Sequence, residues 1–358
     1  MKKIANAVKS LLVLFALASC SGNNESNKDT PIENSGTVNV YMPSPAGLQT
    51  NLEKGFETAY QGIDMKVTSG TTGELLAKIE AEKNAPVCDV LILASWSDGL
   101  NNLSKLDLLS YEPKGSEKLS SGYKEASHKI YGTSASAVGV IYNTDRVKKE
   151  EIEKLDWTDY AVADKVRNVT LNGEMPSMSI PDPTKSGAAK DFFAGWLTST
   201  NGAEGNYDDK TSSAYSTIQG WKNNGLTNGG GNKTVIANVE GSDLDILLAG
   251  VDYNAFADSK KGKHIGFYIP KSGSVINARP AMILSTGSNT ENAKKVMDYL
   301  CSDEAQRLVS DAYLIPGNSS IKMNAARATV KEMDSLDWNL MKDKGTAIAN
   351  NIVNILKA

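Results

Sequence analysis

Short apolar segments alternate with amphipathic helical segments along most of this chain. Residues 38–41 have the composition of a β-strand, and residues 48–60 repeat apolar side chains at helical spacing. Residues 64–68 and 89–93 are two further strand-like runs, and the segment between them has a helical pattern. Strands that alternate with helices form βαβ units. We therefore predict an α/β fold built on a parallel sheet.

Each of these three strands is followed by a loop with a hydroxyl side chain. Ser44 follows the first strand, Thr71, Thr72 and Gly73 follow the second, and Ser95 follows the third. The carboxyl ends of parallel strands lie at one edge of the sheet, where ligands of α/β proteins bind. Hydroxyls and free N–H groups at a helix start suit a small anion such as phosphate. The same residues could also serve only as helix caps.

The second half of the chain repeats this arrangement. Residues 179–193 read as a strand, a loop that contains Thr184, Ser186 and Gly187, and a helix. One anion-binding loop in each half suits a ligand that is held between two domains. This repetition favours a binding site over a pair of simple caps.

The N-terminus has the pattern of an export signal. A basic start and an apolar run too short to span a bilayer lead to Cys20, so we predict a cleaved signal peptide over residues 1–19. Small residues directly before Cys20 resemble the lipobox of bacterial lipoproteins, which implies that Cys20 carries the lipid. Residues 20–36 would form a polar, disordered tether.

Charge and cysteine content exclude some functions. Removing residues 1–19 removes three lysines and changes the formal charge from −4 to −7, which argues against a nucleic-acid partner. The remaining length of about 340 residues suits two domains. Cys88 and Cys301 could be two buried thiols or a disulfide, and a single pair does not decide between them.

Enzymatic motifs are missing from the sequence. It contains no HExxH or CxxC spacing and no Walker loop, and nothing supports a Ser-His-Asp or Cys-His set. Hydroxyls at strand ends without a nearby base bind rather than react. We therefore predict a binding protein, and an exported enzyme that acts on phosphate esters is the less favoured alternative.

Several short motifs follow one another along the chain: the lipobox, 69–82, 89–90, 139–144, 183–187, 251–253 and 302–306. Their order resembles that of extracellular solute-binding proteins of ABC importers, in the branch of ferric-iron, phosphonate and hexose-phosphate binders. The resemblance implies a type II periplasmic-binding-protein fold, whose two α/β lobes close on a ligand in the cleft. It also implies a monomer that works with an ABC permease and ATPase at the bacterial envelope, on the periplasmic or outer face of a membrane.

The same resemblance assigns the lobes. Lobe one would comprise 37–134 and 279–358, and lobe two 135–278. The chain would cross between the lobes near 132–140 and 268–280.

The branch that binds phosphorylated ligands fits these residues best. It implies that hydroxyls and helix-start N–H groups hold a phosphoryl group, and that Asp252 reads sugar hydroxyls or an ammonium, unless it only caps the helix that follows. The implied ligand-binding residues are Ser44, Thr71, Thr72, Gly73, Ser95, Ser134, Thr184, Ser186, Gly187, Asp252 and Tyr253. No metal or cofactor is predicted.

Ferric iron is the alternative ligand. Ferric binders of this kind share a consecutive Tyr-Tyr pair, and this chain has Asp252 and Tyr253 at that place. Only one phenol is left to bind the metal. The two histidines of the chain, His128 and His264, stand elsewhere in the sequence.

Overall fold

The computed structural model describes residues 35–201, 211–327 and 329–358. The predicted signal peptide, Cys20 and most of the predicted tether lie outside the described residues. The strands are β1 (Gly36–Met42), β2 (Ile63–Ser69), β3 (Val90–Ile92), β4 (Tyr131–Asn143), β5 (Met178–Ile180), β6 (Leu226–Asn228), β7 (Ile246–Val251), β8 (Ile265–Tyr268), β9 (Ile276–Ile283) and β10 (Ile315–Pro316). The helices are α1 (Ala46–Ala59), α2 (Thr72–Ala81), α3 (Trp96–Asn102), α4 (Lys149–Ile152), α5 (Ala163–Asn168), α6 (Gly187–Asn201), α7 (Ser213–Asn223), α8 (Asn232–Glu240), α9 (Asp252–Lys260), α10 (Thr290–Cys301), α11 (Asp303–Asp311) and α12 (Trp338–Lys357).

The strands form one mixed sheet in the order β2-β1-β3-β9-β4-β7-β5-β6, and β8 and β10 also pair with β4. β1 runs parallel to β2 and β3, and β5 runs parallel to β6 and β7. The centre is antiparallel, because β4 and β9 run against their neighbours. The prediction of parallel strand pairing is therefore confirmed for the outer strands of each half and is wrong for β4 and β9, which lie between the halves.

β4 is the strand that joins the two halves. Its first part, from Tyr131 to Ala137, pairs with β9, and its second part, from Val138 to Asn143, pairs with β7 and β8. Each half adds its own helices and strands around this shared strand, which gives a two-lobed α/β architecture.

Aromatic side chains fill the core of the second half. Trp196 stacks on Trp221 with ring centroids 5.1 Å apart, and Trp157 lies 4.5 Å from Phe192. In the first half, the buried ring of Phe56 lies 5.9 Å from that of Tyr299. These contacts pack α6 against α7 in the second half and α1 against α10 in the first half.

The C-terminal segment is less helical than its sequence indicates. The composition of 321–358 predicts mainly helix, whereas α12 begins only at Trp338, where the Asp337 side chain accepts from the N–H groups of Asn339 and Leu340. α12 contacts α6 and α7 as well as α3, and Asn101 of α3 donates to its Lys342 carbonyl at 2.9 Å. The lobe bounds drawn from the sequence stay a prediction.

Two further features concern the cysteines and the membrane. Cys88 and Cys301 are buried free thiols, and burial raises the pKa of Cys301 to about 12.

Within the described ranges, no helix has the length and apolar character that crossing a membrane requires.

Candidate ligand-binding site

The start of α2 is a capped helix end, as its sequence pattern allows. The Thr71 hydroxyl accepts from the Glu74 N–H at 3.3 Å, and the Thr71 N–H donates to the Glu74 carboxylate at 2.8 Å. These two bonds form a capping box. The Thr72 hydroxyl is buried and accepts from the Ala94 N–H at 3.1 Å, which leaves its own proton free to donate.

The starts of α3 and α6 are capped in the same way. Ser95 accepts from the Asp98 N–H at 3.0 Å. Ser186 accepts from the Ala189 N–H at 3.3 Å and from the Asn232 side chain at 2.7 Å. Both hydroxyls are buried. The predicted Ser95 and Ser186 are therefore caps in this structure. Capping does not use the proton of the Ser186 hydroxyl, whereas the Ser95 hydroxyl also lies 3.3 Å from the Ser97 hydroxyl and hydrogen-bonds to Asp191.

Gly187 is the point at which the three helix starts meet. A Cβ atom on Gly187 would lie 2.7 Å from the Ser95 Cβ and 3.0 Å from the Thr72 Oγ1. Nearby, the Gly73 N–H donates to the Lys185 carbonyl at 3.5 Å. Only a residue without a side chain allows the lobes to approach this closely.

Four side chains form a second set of bonds between the lobes, which we call the closure contact: Ser97, Asp98, Lys190 and Asp191. Lys190 forms an ion pair with Asp98, and Ser97 donates to Asp191. Burial raises the pKa of Asp191 to about 6, a rise that Lys190 opposes and Asp98 increases. A cavity of about 140 Å³ lies beside this contact, between α2, α6 and α12.

The remaining hydroxyls predicted in the loops lie at the edge of the cleft. Thr184 is exposed, and its hydroxyl and N–H both donate to the Asp182 carboxylate, at 2.6 and 2.9 Å. Ser44 is half-buried, and its carbonyl accepts from the Gln49 side chain at 2.8 Å.

Asp252 is fully buried at the start of α9 and is engaged by three donors. Arg327 forms an ion pair with it, and the N–H groups of Ala137 and Tyr253 donate to it at 3.0 and 2.7 Å. Burial raises the pKa of Asp252, and Arg327 is the main opposing influence. The structure therefore gives this carboxylate a bond network of its own, and its predicted role toward a ligand stays a prediction.

Arg279 of β9 is a second buried arginine, with an exposed fraction of 1%. Its guanidinium donates to the Pro43 carbonyl in the loop after β1 and lies 5.8 Å from the centre of the Tyr253 ring at the start of α9. Among the described residues, no carboxylate forms a salt bridge with it. Burial lowers the pKa of Arg279, and Tyr253 and Asp252 oppose this change.

Arg279 belongs to a polar surface on the crossing strands, which we call the hinge floor: Ser134, Ser136, Asn277 and Arg279. Ser134 pairs with Arg279 and Ser136 pairs with Asn277 in the antiparallel register of β4 and β9. Directly opposite residues, and residues two apart on one strand, present their side chains to the same face. All four side chains are buried.

The sequence predictions included one of these four residues. Ser134 was among the candidates, whereas Ser136, Asn277 and Arg279 were missed. The available signal was the alternation of polar side chains with apolar ones in the strand, where Asn277 and Arg279 are two residues apart.

A metal site does not emerge from the geometry. In the part of the chain that the structure describes, no group of three or more His, Cys, Asp or Glu side chains could hold an ion. Tyr253 contributes one phenol at the edge of the hinge floor.

Comparisons with known proteins agree with this architecture. Residues 39–307 match the family model described as bacterial extracellular solute-binding protein. The structure of the periplasmic binding protein AfuA from Actinobacillus pleuropneumoniae, with exogenous fructose-6-phosphate bound, is similar with a TM-score of 0.75 at 20% identity, covering 90% of this chain and 99% of that one. Iron-bound HitA from Pseudomonas aeruginosa is similar with a TM-score of 0.70 at 18% identity, covering 88% and 99%.

A curated relative adds a second comparison by sequence. Iron uptake protein A1 from a Synechocystis strain is 23% identical, over 90% of this chain and 86% of that protein. The predicted type II periplasmic-binding-protein fold is confirmed by these structural likenesses, and the family and fold neighbours are solute-binding proteins, not enzymes. The chain belongs to the bacterial extracellular solute-binding protein family and is the substrate-binding component of an ABC importer.

Proposed function

We propose that this protein captures a small phosphorylated solute, a sugar phosphate or an organophosphonate, between its lobes and delivers it to the importer's permease. The observation that carries this proposal is an excess of buried positive charge. Arg279 and Arg327 are two buried cations, and Asp252 is the one carboxylate that the described residues pair with either of them. A buried charge without a partner is costly, so an anionic ligand would be held strongly here.

The surrounding groups suit a phosphoryl ligand. Guanidinium groups bind phosphate oxygens through several charge-assisted hydrogen bonds. The hydroxyls of Thr72 and Ser186 stand at helix starts that meet at Gly187. Helix starts favour anions, but the Asp98 carboxylate lies beside Gly187, so the positive charge for the ligand comes from the arginines. The AfuA structure, which has fructose-6-phosphate bound, supports this ligand class as a hypothesis for the present chain.

Ferric iron is the competing ligand, because HitA is described as iron-bound and the Synechocystis relative is named for iron uptake. Arg279 lies beside Tyr253 and has no salt bridge within the described residues, so its charge disfavours a bare trivalent cation by repulsion. A ligand panel must therefore include iron.

Isothermal titration would compare glucose 6-phosphate, 2-aminoethylphosphonate, inorganic phosphate and ferric citrate. We expect a phosphorylated organic compound to bind tightest. Arg279→Met should weaken that binding by about 10- to 100-fold, because a hydrogen bond to a charged group contributes roughly 1.5–3 kcal/mol. Arg167→Met removes an exposed arginine from α5 and serves as the matched control.

Two results would contradict the proposal. Tight iron binding with a visible phenolate charge-transfer band would assign the cleft to iron. Equal affinities of the Arg279→Met and Arg167→Met variants would show that Arg279 does not bind the ligand.

We also propose that the protein is exported through the signal peptide and carries a lipid on Cys20. Labelling with a fatty acid in cells would test this proposal.

A further inference from the structure

Unpaired polar atoms are concentrated in the hinge floor. Five buried side-chain polar atoms in the described residues lack a hydrogen-bond partner, and three of them are the Ser136 Oγ, the Asn277 Oδ1 and the Arg279 Nε. The large majority of buried side-chain polar atoms are paired in folded proteins. Three unpaired atoms on one face of two adjacent strands therefore indicate a bound partner that several of them share.

The chemistry of these atoms restricts that partner. The Asn277 Nδ2 donates to the Ala188 carbonyl at 3.4 Å, and a carbonyl can only accept, so the amide is oriented with its oxygen toward the floor. The Asn277 Oδ1 therefore needs a donor. The Arg279 Nε needs an acceptor, and the Ser136 hydroxyl can serve either way.

The spacing shows that one small molecule can meet these requirements. Ser136 and Asn277 are direct cross-strand partners, whose Cβ atoms lie about 4.5–5.5 Å apart in such pairs. Asn277 and Arg279 are two residues apart, which is roughly 7 Å along a strand. An ionised phosphoryl group offers acceptors and satisfies Arg279, but it has no proton for the Asn277 oxygen. A hydroxyl or ammonium group on the same ligand would supply it.

We propose that the hinge floor selects phosphorylated solutes that carry a hydroxyl or ammonium donor close to the phosphoryl group, and that Ser136 and Asn277 are the residues that determine this specificity. This inference rests on the proposed function. Arg279 attracts the phosphoryl group, whereas Ser136 and Asn277 discriminate between ligands that share this group and differ in the donor.

Two pairs of compounds isolate the donor. The first is glucose 6-phosphate and cyclohexylmethyl phosphate, which has a similar ring without hydroxyls. The second is 2-aminoethylphosphonate and propylphosphonate, which lacks the ammonium. One of the two pairs should bind in titrations of the intact protein. Within that pair, we expect the compound with the donor to bind at least about 10-fold more tightly than the compound without it, because a missing donor leaves buried groups of the site unpaired.

Variants assign the discrimination to its residues. Ser136→Ala and Asn277→Ala should each reduce the affinity ratio of the pair at least threefold and change the affinity for the donor-free compound less than twofold. Ser310→Ala is the control, because it removes a buried serine on α11 whose hydroxyl donates to the Lys322 carbonyl. Ser136→Ala decides the matter if Asn277→Ala does not fold, since the Ser136 hydroxyl has no bond to lose.

The outcomes separate the two proposals. If a phosphorylated compound binds but the pair has equal affinities, or the ratio is unchanged in Ser136→Ala, the inference is wrong and the proposed function stands. If none of the four compounds binds, the proposed function fails, and this inference fails with it.

Discussion

The hinge floor and the closure contact are both buried polar surfaces between the lobes, but they differ in how their groups are paired. In the closure contact, Lys190 pairs with Asp98 and Ser97 donates to Asp191, so each side chain has a partner in the opposite lobe. In the hinge floor, Arg279 contacts the Pro43 carbonyl and the Tyr253 side chain but forms no salt bridge within the described residues, and three polar atoms lack hydrogen bonds there.

The difference distinguishes a contact made for the protein itself from one made for a ligand. A fully paired network adds to the stability of the closed arrangement. An unpaired one costs free energy until something binds, and that cost becomes affinity when the ligand supplies the missing partners. The closure contact carries two carboxylates and one cation, whereas the hinge floor together with the Asp252–Arg327 pair carries two arginines and one carboxylate. Of these two surfaces, only the second has a positive excess that suits an anion.

The largest expected effect comes from the paired arginine beside the floor. Arg327→Met leaves the buried Asp252 without its cation and should lower the free energy of unfolding by about 3–5 kcal/mol in denaturant titrations. It also removes the positive excess, so ligand affinity should fall although Arg279 is retained.

A double variant checks the cause. Asp252→Asn with Arg327→Met removes both charges of this ion pair, so Asp252 is no longer left without its cation, and should recover part of the lost stability. Lys66→Met breaks an exposed ion pair with Asp64 and should leave stability nearly unchanged. A stable Arg327→Met single variant that keeps full ligand affinity would contradict the charge argument.

A steric change at the helix starts should have an intermediate effect. Gly187→Ala places a Cβ atom 2.7 Å from the Ser95 Cβ, so the lobes cannot approach as closely while the floor stays intact. We expect ligand affinity to fall about 10-fold, which corresponds to roughly 1.4 kcal/mol, with little loss of stability. Gly122→Ala, at a position with no atom within 4 Å of a new Cβ, is the control. Unchanged affinity in Gly187→Ala would mean that closure does not contribute to binding.

The smallest effect is a pH dependence from the closure contact. The folded-state pKa of Asp191 is raised to about 6, above the usual value of about 3.9 for an unfolded chain. Between these two pH values the folded protein therefore binds more protons than the unfolded chain. The contribution of Asp191 to the free energy of unfolding is fully present below pH of about 4 and is lost as the pH rises through about 6. Asp98 and Lys190 are the charged groups that face it, together with the hydroxyls of Ser95 and Ser97.

Denaturant titrations from pH 4 to pH 7.5 would measure this contribution. The stability of the wild type, taken relative to Asp191→Asn, should decrease with rising pH. Asp64→Asn changes an exposed carboxylate on β2 and is the control. The stability of this variant should depend on pH in the same way as that of the wild type. Parallel profiles for the wild type and Asp191→Asn would show that Asp191 does not titrate in this range.

Much of the fold could be predicted because its signals are local. The cap at Thr71, with Glu74 three residues later, is a sequence pattern that specifies a helix start. The hydroxyl loops were located correctly for the same reason. The antiparallel pairing of β4 and β9 was missed, because apolar composition marks a strand without showing its direction or neighbours.

The sequence by itself determined the alternation of strands and helices, which loops carry hydroxyls and which family the motifs resemble, since these depend on residues close together in the chain. Only the tertiary structure decided which charges meet. Asp252 pairs with Arg327 from 75 residues away, and no carboxylate in the described ranges forms a salt bridge with Arg279. Burial and the register of two distant strands set that balance, because electrostatic free energies depend on distance and desolvation in space and not on separation along the chain.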